Sequence, residues 1–343
     1  MLKWLVFFLH LLAQIILSLS ITTCELLPTR HESEENYAVC QGKFLQSEKL
    51  KENLRNITKS INVFELRNAT IDVLPEDIFS DVENANVRKI IFSHSSVDLL
   101  HIPERKISPL KSVEDSLENF EIYDSSSVFG WNFSVLASLK KLKTLIIENS
   151  EIFEVKGGFE TLPTLRFIQI LNSDIQWIHP YVFQNNDNLT ICSLANNHIV
   201  ELKRSMFPKP AKHLWSLDLS FNKIRSLPKD MFAEMPSLHE LKLDSNRLKI
   251  FEVDRVVPVW DRLTQLWIDD NNALCWPFCL VAGKKHRPQF LDSSKCSLAK
   301  AGFIMNLYKF WIHFIRFALP VESNSNKFNK NKTLKNIPFI AFY

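Results

Sequence analysis

The residues best placed to do covalent chemistry in this 343-residue chain are its six cysteines, Cys24, Cys40, Cys192, Cys275, Cys279 and Cys296. In an oxidising compartment such cysteines form disulfides, and spacing alone leaves their connectivity open. Five N-x-S/T triplets begin at Asn56, Asn68, Asn132, Asn188 and Asn331, and each is a glycosylation site if the chain is secreted. The histidines His94, His101, His179, His198, His213 and His239 show neither i, i+4 pairing nor the cysteine spacing of a metal site, and read as surface or loop residues. His239-Glu240 opens like a zinc-protease motif but continues Leu-Lys-Leu, so the second histidine is missing. No GxSxG elbow surrounds a serine. The six glycines, Gly42, Gly130, Gly157, Gly158, Gly283 and Gly302, fit no phosphate loop or dinucleotide motif, both of which need glycine for close backbone approach. No catalytic residue, cofactor or metal is assigned. A net charge of +3 with 23% charged residues describes neither a disordered chain nor a nucleic-acid binder.

The compartment comes from the ends. After Met1-Leu2-Lys3 an apolar run extends from Trp4 to Leu19, with Ser18 and Ser20 before a cut after Ser20. That is the pattern of a secretory signal peptide over residues 1–20, shorter than the ~20 apolar residues of a membrane span and interrupted by His10 and Gln14. The working picture is a secreted, extracellular glycoprotein. At the other end, Asn306, Lys309, His313 and Arg316 share one narrow helical face, opposite Phe303, Leu307, Phe310, Trp311, Phe314 and Phe317. Residues 303–319 thus have the form of a basic amphipathic helix that contacts a membrane surface. The second reading of the atypical tail, residues 302–343, is an alternative last exon or translated A/T-rich non-coding sequence, given its wealth of Phe, Ile, Lys, Asn and Tyr.

Between the ends lies a repeat. From Leu214 the text LWSLDLSFNKIRSLPKDMF follows LxxLxLxxNxLxxLPxxxF, and related text starts at Leu189 and Leu238, at periods of 25 and 24 residues. Further copies begin at Ile61, Val87, Leu117, Leu142, Leu165 and Leu263, giving nine units over residues 61–274. In each, the LxL core is a short strand whose two apolar side chains point inward. Six buried aliphatic side chains at ~2 kcal/mol each fall short of the ~1–2 kcal/mol per residue needed to order one unit, so stability requires stacking. The P-x-x-x-F element, as Pro75 to Phe79 and Pro228 to Phe232, with Phe183 and Phe207 in shifted frames, sends phenylalanine behind the strands and accounts for part of the 26 in the chain. The ninth position is Asn197, Asn222, Asn246 and Asn271 in the last four units, but Ala69, Ser95, Ser125, Ser150 and Ser173 in the first five. A buried Asn there satisfies the backbone as it leaves the strand, and Ser does so in part, which predicts less regular early units. Residues 108–116 read as an irregular insertion, and Cys192, on an inward position, as a buried free thiol.

The chain resembles extracellular leucine-rich repeat proteins over residues 21–301: an α/β solenoid, a horseshoe of about nine repeats with a parallel concave sheet and disulfide caps. The cap text LCWPFCLVAGKKHRPQFLDSSKC, with the divergent early units and Phe-rich outer segments, is similar to arthropod proteins grouped with the non-catalytic leucine-rich subunit of shrimp (oplophorus) luciferin 2-monooxygenase. Toll-type receptors and connectin-like adhesion proteins share the repeats. The resemblance implies an N-terminal cap at 21–60 in which Cys24 pairs with Cys40. It also implies a C-terminal cap at 275–301 in which Cys275 or Cys279 pairs with Cys296, leaving one cysteine over. It implies a non-enzymatic protein that binds a protein partner, as a secreted accessory subunit or as a membrane-associated receptor or adhesion ectodomain.

A partner would meet the outward strand positions, laid out in columns at the strand spacing. The fifth column runs Glu65, Ile91, Glu121, Ile146, Gln169, Ser193, Asp218, Lys242, Trp267, and the seventh holds Leu171, Asp244 and Asp269. Two groups emerge. Ile146, Phe167 and Leu171 are apolar where solvent is expected. Asp218, Asp244, Asp269 and Asp270 form an acidic group with Trp215 and Trp267 as aromatic anchors, against the plainer reading of a solvated acidic face.

Overall fold

The structure, a computed structural model, describes residues 22–27, 36–44, 47–83, 85–102, 104–126, 128–249 and 255–271, all within one compact unit. The leader, Cys275, Cys279 and Cys296, residues 303–319 and Asn331 lie outside the described residues.

Alternation of apolar and polar residues makes each unit contribute one strand to a common sheet. The strands are β1 (Thr23–Leu27), β2 (Tyr37–Phe44), β3 (Val63–Val73), β4 (Lys89–Ser93), β5 (Ser96–Leu99), β6 (Asn119–Tyr123), β7 (Thr144–Glu148), β8 (Glu154–Val155), β9 (Phe167–Leu171), β10 (Trp177–Ile178), β11 (Ile191–Ser193), β12 (Ser216–Asp218), β13 (Glu240–Lys242) and β14 (Gln265–Trp267). The main sheet runs β1-β2-β3-β4-β6-β7-β9-β11-β12-β13-β14, with β5 alongside β3, while β8 and β10 form a small second sheet. Every pair is parallel except β1 with β2. This is the leucine-rich repeat fold, and the unit starts Ile61, Val87, Leu117, Leu142, Leu165, Leu189, Leu214, Leu238 and Leu263 are all buried.

The early units differ from the later ones in a way their text did not foretell. Their strands are longer, five residues in β4, β6, β7 and β9 against three in β11 to β14. Residues 108–116 fold into turns around a short 3-10 helix, Lys111–Val113, which buries Leu110 and Val113 under the sheet.

Behind the strands, phenylalanines from Phe133 to Phe207 form a row of tilted and edge-to-face contacts. Phe133 meets Phe159 at 4.7 Å between ring centres, Phe159 meets Phe183 at 6.1 Å, and Phe183 meets Phe207 at 6.2 Å. Buried Trp131 joins this row through Phe133, its ring fixed by a 2.6 Å hydrogen bond from Nε1 to the Val97 carbonyl. Gly158, at φ +106°, sits so close to the preceding unit that a Cβ would lie 2.4 Å from the Phe133 and Ser134 backbone, so no other residue fits there.

The N-terminal end is closed by a hairpin. The Cys24–Cys40 disulfide joins β1 to β2, and α1 (Ser47–Arg55) buries Leu50 and Leu54. Cys192 is a buried free thiol, and burial pushes its thiol well above the usual range.

Between strand and return segment runs a ladder of ninth-position residues. The Ser95, Ser125 and Ser150 hydroxyls accept from the amides of Ala69, Ser95 and Ser125 at 3.1, 3.3 and 3.1 Å, and the Ser173 hydroxyl accepts from Ser150 at 3.4 Å. At Asn197 the rung changes. Its Oδ1 accepts from Ser173 and Ile175, and its Nδ2 donates to the carbonyls of Ile170, Leu194 and Ala195. Asn222, Asn246 and Asn271 repeat this with one amide acceptance each.

Candidate interaction face

Register places the outward residues in rows. Glu65, Ile91, Glu121, Ile146, Gln169, Ser193, Asp218, Lys242 and Trp267 pair strand to strand in one line, and β2 extends that line with Val39. The face divides into three regions by chemistry.

Over the first strands it is internally neutralised. Glu65 is buried, accepting from Tyr37 Oη at 2.7 Å, Arg67 Nε at 2.9 Å and the Ser93 hydroxyl. Burial pushes the Glu65 carboxyl up, but the hydrogen bonds from Arg67, Ser93 and Tyr37 together outweigh it and hold the group below the usual carboxylate range. Glu121, also buried, is met by Lys89 at 2.7 Å and by Tyr123 Oη at 3.1 Å. Burial, reinforced by the glutamate each faces, pushes both tyrosine hydroxyls upward, so they stay protonated donors. Sequence reasoning missed this region because Tyr37 belongs to the cap and because Glu65 and Glu121 stand in a column of exposed positions.

In the middle, the structure brings Ile146, Phe167 and Leu171 together. Ile146 pairs with Gln169, and Phe167 and Leu171 flank Gln169 on the same face of β9. All three are half-buried, and Ile191, beside Phe167, extends the patch. A polar pair interrupts it, since Gln169 donates to Glu148.

At the far end the acidic group is threaded by a cation. Lys242 reaches Asp218 at 3.5 Å and Glu240 at 3.2 Å, and its Nζ lies 4.9 Å from the centre of the Trp267 ring. Burial favours neutral Lys242, but Asp218 and Glu240 override it and raise its pKa. Asp218 also accepts from the Ser220 amide at 3.0 Å and hydroxyl at 2.6 Å. Half-buried Asp244 is pushed up by burial, with Asp218 and Asp270 adding to the effect. Asp269 and Asp270 follow β14, the carbonyl of Asp269 accepting from the Ser245 amide at 2.8 Å. Trp215 stands apart from this group. It lies before β12, exposed, and stacks on His239 at 6.0 Å rather than on Trp267.

The rim holds a feature absent from the sequence reading. The eighth position of every unit, Asn68, His94, Asp124, Asn149, Asn172, Asn196, Phe221, Ser245 and Asp270, has left-handed backbone, φ between 47° and 55°. Asn and Asp tolerate that conformation through local hydrogen bonding. Here they bond to one another: Asn149 Nδ2 to Asp124 at 2.9 Å, Asn172 Nδ2 to Asn149 at 2.7 Å, Asn196 Nδ2 to Asn172 at 3.0 Å. Phe221 ends the row, 55% exposed. The signal was present as a run of Asn and Asp at one repeat position. Of the sequon residues, Asn56, Asn68, Asn132 and Asn188 are exposed.

Comparison with known proteins agrees with this architecture. Residues 187–248 match the family model described as Leucine rich repeat. Leucine-rich repeat-containing G-protein coupled receptor 5 of Rattus norvegicus is 31% identical over 146 residues, 41% of this chain and 16% of the receptor. The chain spans under half the length of the curated relatives it matches. Among solved structures, a TLR13–ssRNA13 complex superposes with a TM-score of 0.59 at 21% identity, covering 68% of this chain and 31% of the other. A chain of an octameric complex of latrophilin 3, Unc5D and FLRT2 (LRR) superposes with a TM-score of 0.54 at 17% identity, covering 79% of this chain and 87% of the other. At these identities the solved structures speak for the fold.

Proposed function

We propose that this leucine-rich repeat chain is an extracellular, non-enzymatic binding module that takes a protein partner on its sheet face. The observation that carries the reading is the contrast along that face. The first strands tie their charges to one another, whereas from β7 onward half-exposed apolar and aromatic side chains stand in register with acids. Contacts fall on Ile146, Phe167 and Leu171 in the middle and on Asp218, Asp244, Trp267, Asp269 and Asp270 at the end, with Trp215 as a separate anchor. Aromatic side chains at the centre of an interface carry much of its energy, and charges at the rim set orientation. Entry to the secretory pathway rests on the leader-like text of residues 1–20, and service as an accessory subunit rests on the arthropod resemblance.

The test is to express the full chain in secretory insect cells, separate medium from membranes, and compare proteins crosslinked to wild type and to Ile146→Asp/Leu171→Asp. A partner captured by wild type and by an outer-surface control, Lys229→Asp, but lost by the face variant supports the reading. Capture indifferent to the face substitutions refutes it. Retention on membranes that vanishes when residues 302–343 are deleted favours an anchored receptor or adhesion ectodomain instead.

A further inference from the structure

Beside the small β8–β10 sheet lies a groove of about 560 Å³, lined by Phe129, Trp131, Asn132, Ile152, Glu154 and Lys156 among others. Its apolar side is unusual for a surface. Phe129 is 61% exposed and neighbouring Phe153 is 40% exposed, their rings 6.2 Å apart. Trp131 forms a fixed floor, held by its bond to Val97. The polar side is the Lys156–Glu154 ion pair at 2.9 Å. One residue of the lining is itself a sequon asparagine. Asn132 is exposed, its Oδ1 accepts from the Ser134 amide at 3.0 Å, and its Nδ2 donates to no group among the described residues. Asn188 differs, since its Nδ2 donates to the Pro163 carbonyl at 2.8 Å.

We propose that this groove seats the first sugar of an N-linked glycan carried by Asn132. A pyranose ring has an apolar C–H face, which suits the exposed Phe129 and Phe153 rings, and a polar edge with an acetamido group, which suits the Lys156–Glu154 pair. Linkage at Nδ2 leaves the Asn132 Oδ1 cap of the Phe133–Ser138 helix intact. The glycan therefore covers two aromatic rings that water otherwise meets. The inference rests on the extracellular reading above.

The experiment compares the full chain, secreted from insect cells and mapped by peptide mass spectrometry, with Ser134→Ala, which removes the sequon but keeps the Asn132 cap. Each is also made in the Phe129→Ala background. Occupancy at Asn132 is expected, with a Tm lowered by about 2–4 °C in Ser134→Ala and little further change when Phe129 is already alanine. Asn132 unoccupied while Asn56 or Asn188 carries glycan overturns the groove and leaves the secretory reading standing. Secreted protein with no occupied sequon likewise overturns the groove alone, and failure of the chain to reach the medium overturns the secretory reading on which it rests. An occupied Asn132 whose loss leaves Tm unchanged, or lowers it equally without Phe129, overturns the seat.

Discussion

Alanine in place of Asn197 should destabilise the protein by about 1–3 kcal/mol more than the same change at Asn222. Burial does not separate the two, since they are 5% and 6% exposed. Both also donate through Nδ2 to three carbonyls. The difference lies in what each accepts. Asn197 stands where serine rungs give way to asparagine rungs, and its Oδ1 takes the amides of Ser173 at 3.1 Å and Ile175 at 3.0 Å. Asn222 takes Ile199 alone, at 3.0 Å, because the Asn197 amide turns to the Phe221 carbonyl at 3.1 Å. Truncation orphans two buried donors in the first case and one in the second, at roughly 1–3 kcal/mol per orphan. The same atoms are removed at two equally buried sites, so the transfer contribution cancels in the comparison. Urea unfolding followed by tryptophan fluorescence, with all proteins in one buffer, measures the two losses. Equal midpoints for Asn197→Ala and Asn222→Ala, or a lower one for Asn222→Ala, would refute the rung-by-rung account.

Phe221→Asn should stabilise by about 0.5–1 kcal/mol, because a bulky residue held left-handed costs more than an asparagine and the new side chain continues the row from Asn196; a loss of stability in the same urea assay would show that the exposed ring packs. Glu65→Gln should cost about 2–3 kcal/mol at neutral pH by unbalancing the Arg67 and Tyr37 contacts. Because the folded-state pKa of Glu65 lies below its unfolded value, that contribution is present above the ordinary glutamate pKa of about 4.3 and is lost as pH falls through the lower, folded value. Wild type and variant should therefore converge in urea midpoints measured toward pH 3, and a constant gap would contradict it. Asp244→Asn has the opposite sign: its raised carboxyl disfavours folding at neutral pH, so the variant gains modestly there and the gain fades as pH falls through the folded pKa toward the ordinary aspartate value. Cys192 should resist a thiol reagent in the native protein and react only at the rate of unfolding, as read by peptide mapping.

The fold was legible because inward positions repeat at a nearly fixed period and burial acts on them one residue at a time. Leu214, Leu217 and Leu219 announce their unit in any context. The ninth-position gradient was legible for the same reason, since a buried polar group has few ways to be satisfied. What stayed hidden depends on neighbours one unit away. The text YAVCQGKF lacks the repeat signature, yet it supplies β2, which enters the sheet because Tyr37 and Val39 fall into register with Val63 and Glu65. Lys242 sits in the fifth column like any charge, and only rotamers spanning two strands show it bridging Asp218 and covering Trp267. Trp215 looked like a companion to Trp267 by composition, but its place before the strand turns it to His239. The sheet face was thus located by pattern, and its division into tied and available regions required geometry.

The rim row carries a consequence for chemical ageing. Asn149 and Asn172 each precede a serine, a pairing in which the next amide can attack the side-chain carbonyl carbon, expel ammonia and close a succinimide that water opens to aspartate or isoaspartate. Here those attacking amides are Ser150 N and Ser173 N, and both are buried donors to the next rung, at 3.4 Å to Ser173 and 3.1 Å to Asn197. Folding withholds the nucleophile from an otherwise exposed carboxamide. Deamidation at Asn149 and Asn172 thereby becomes a clock for opening of the array: it runs while the ladder is broken and stops when the rungs close.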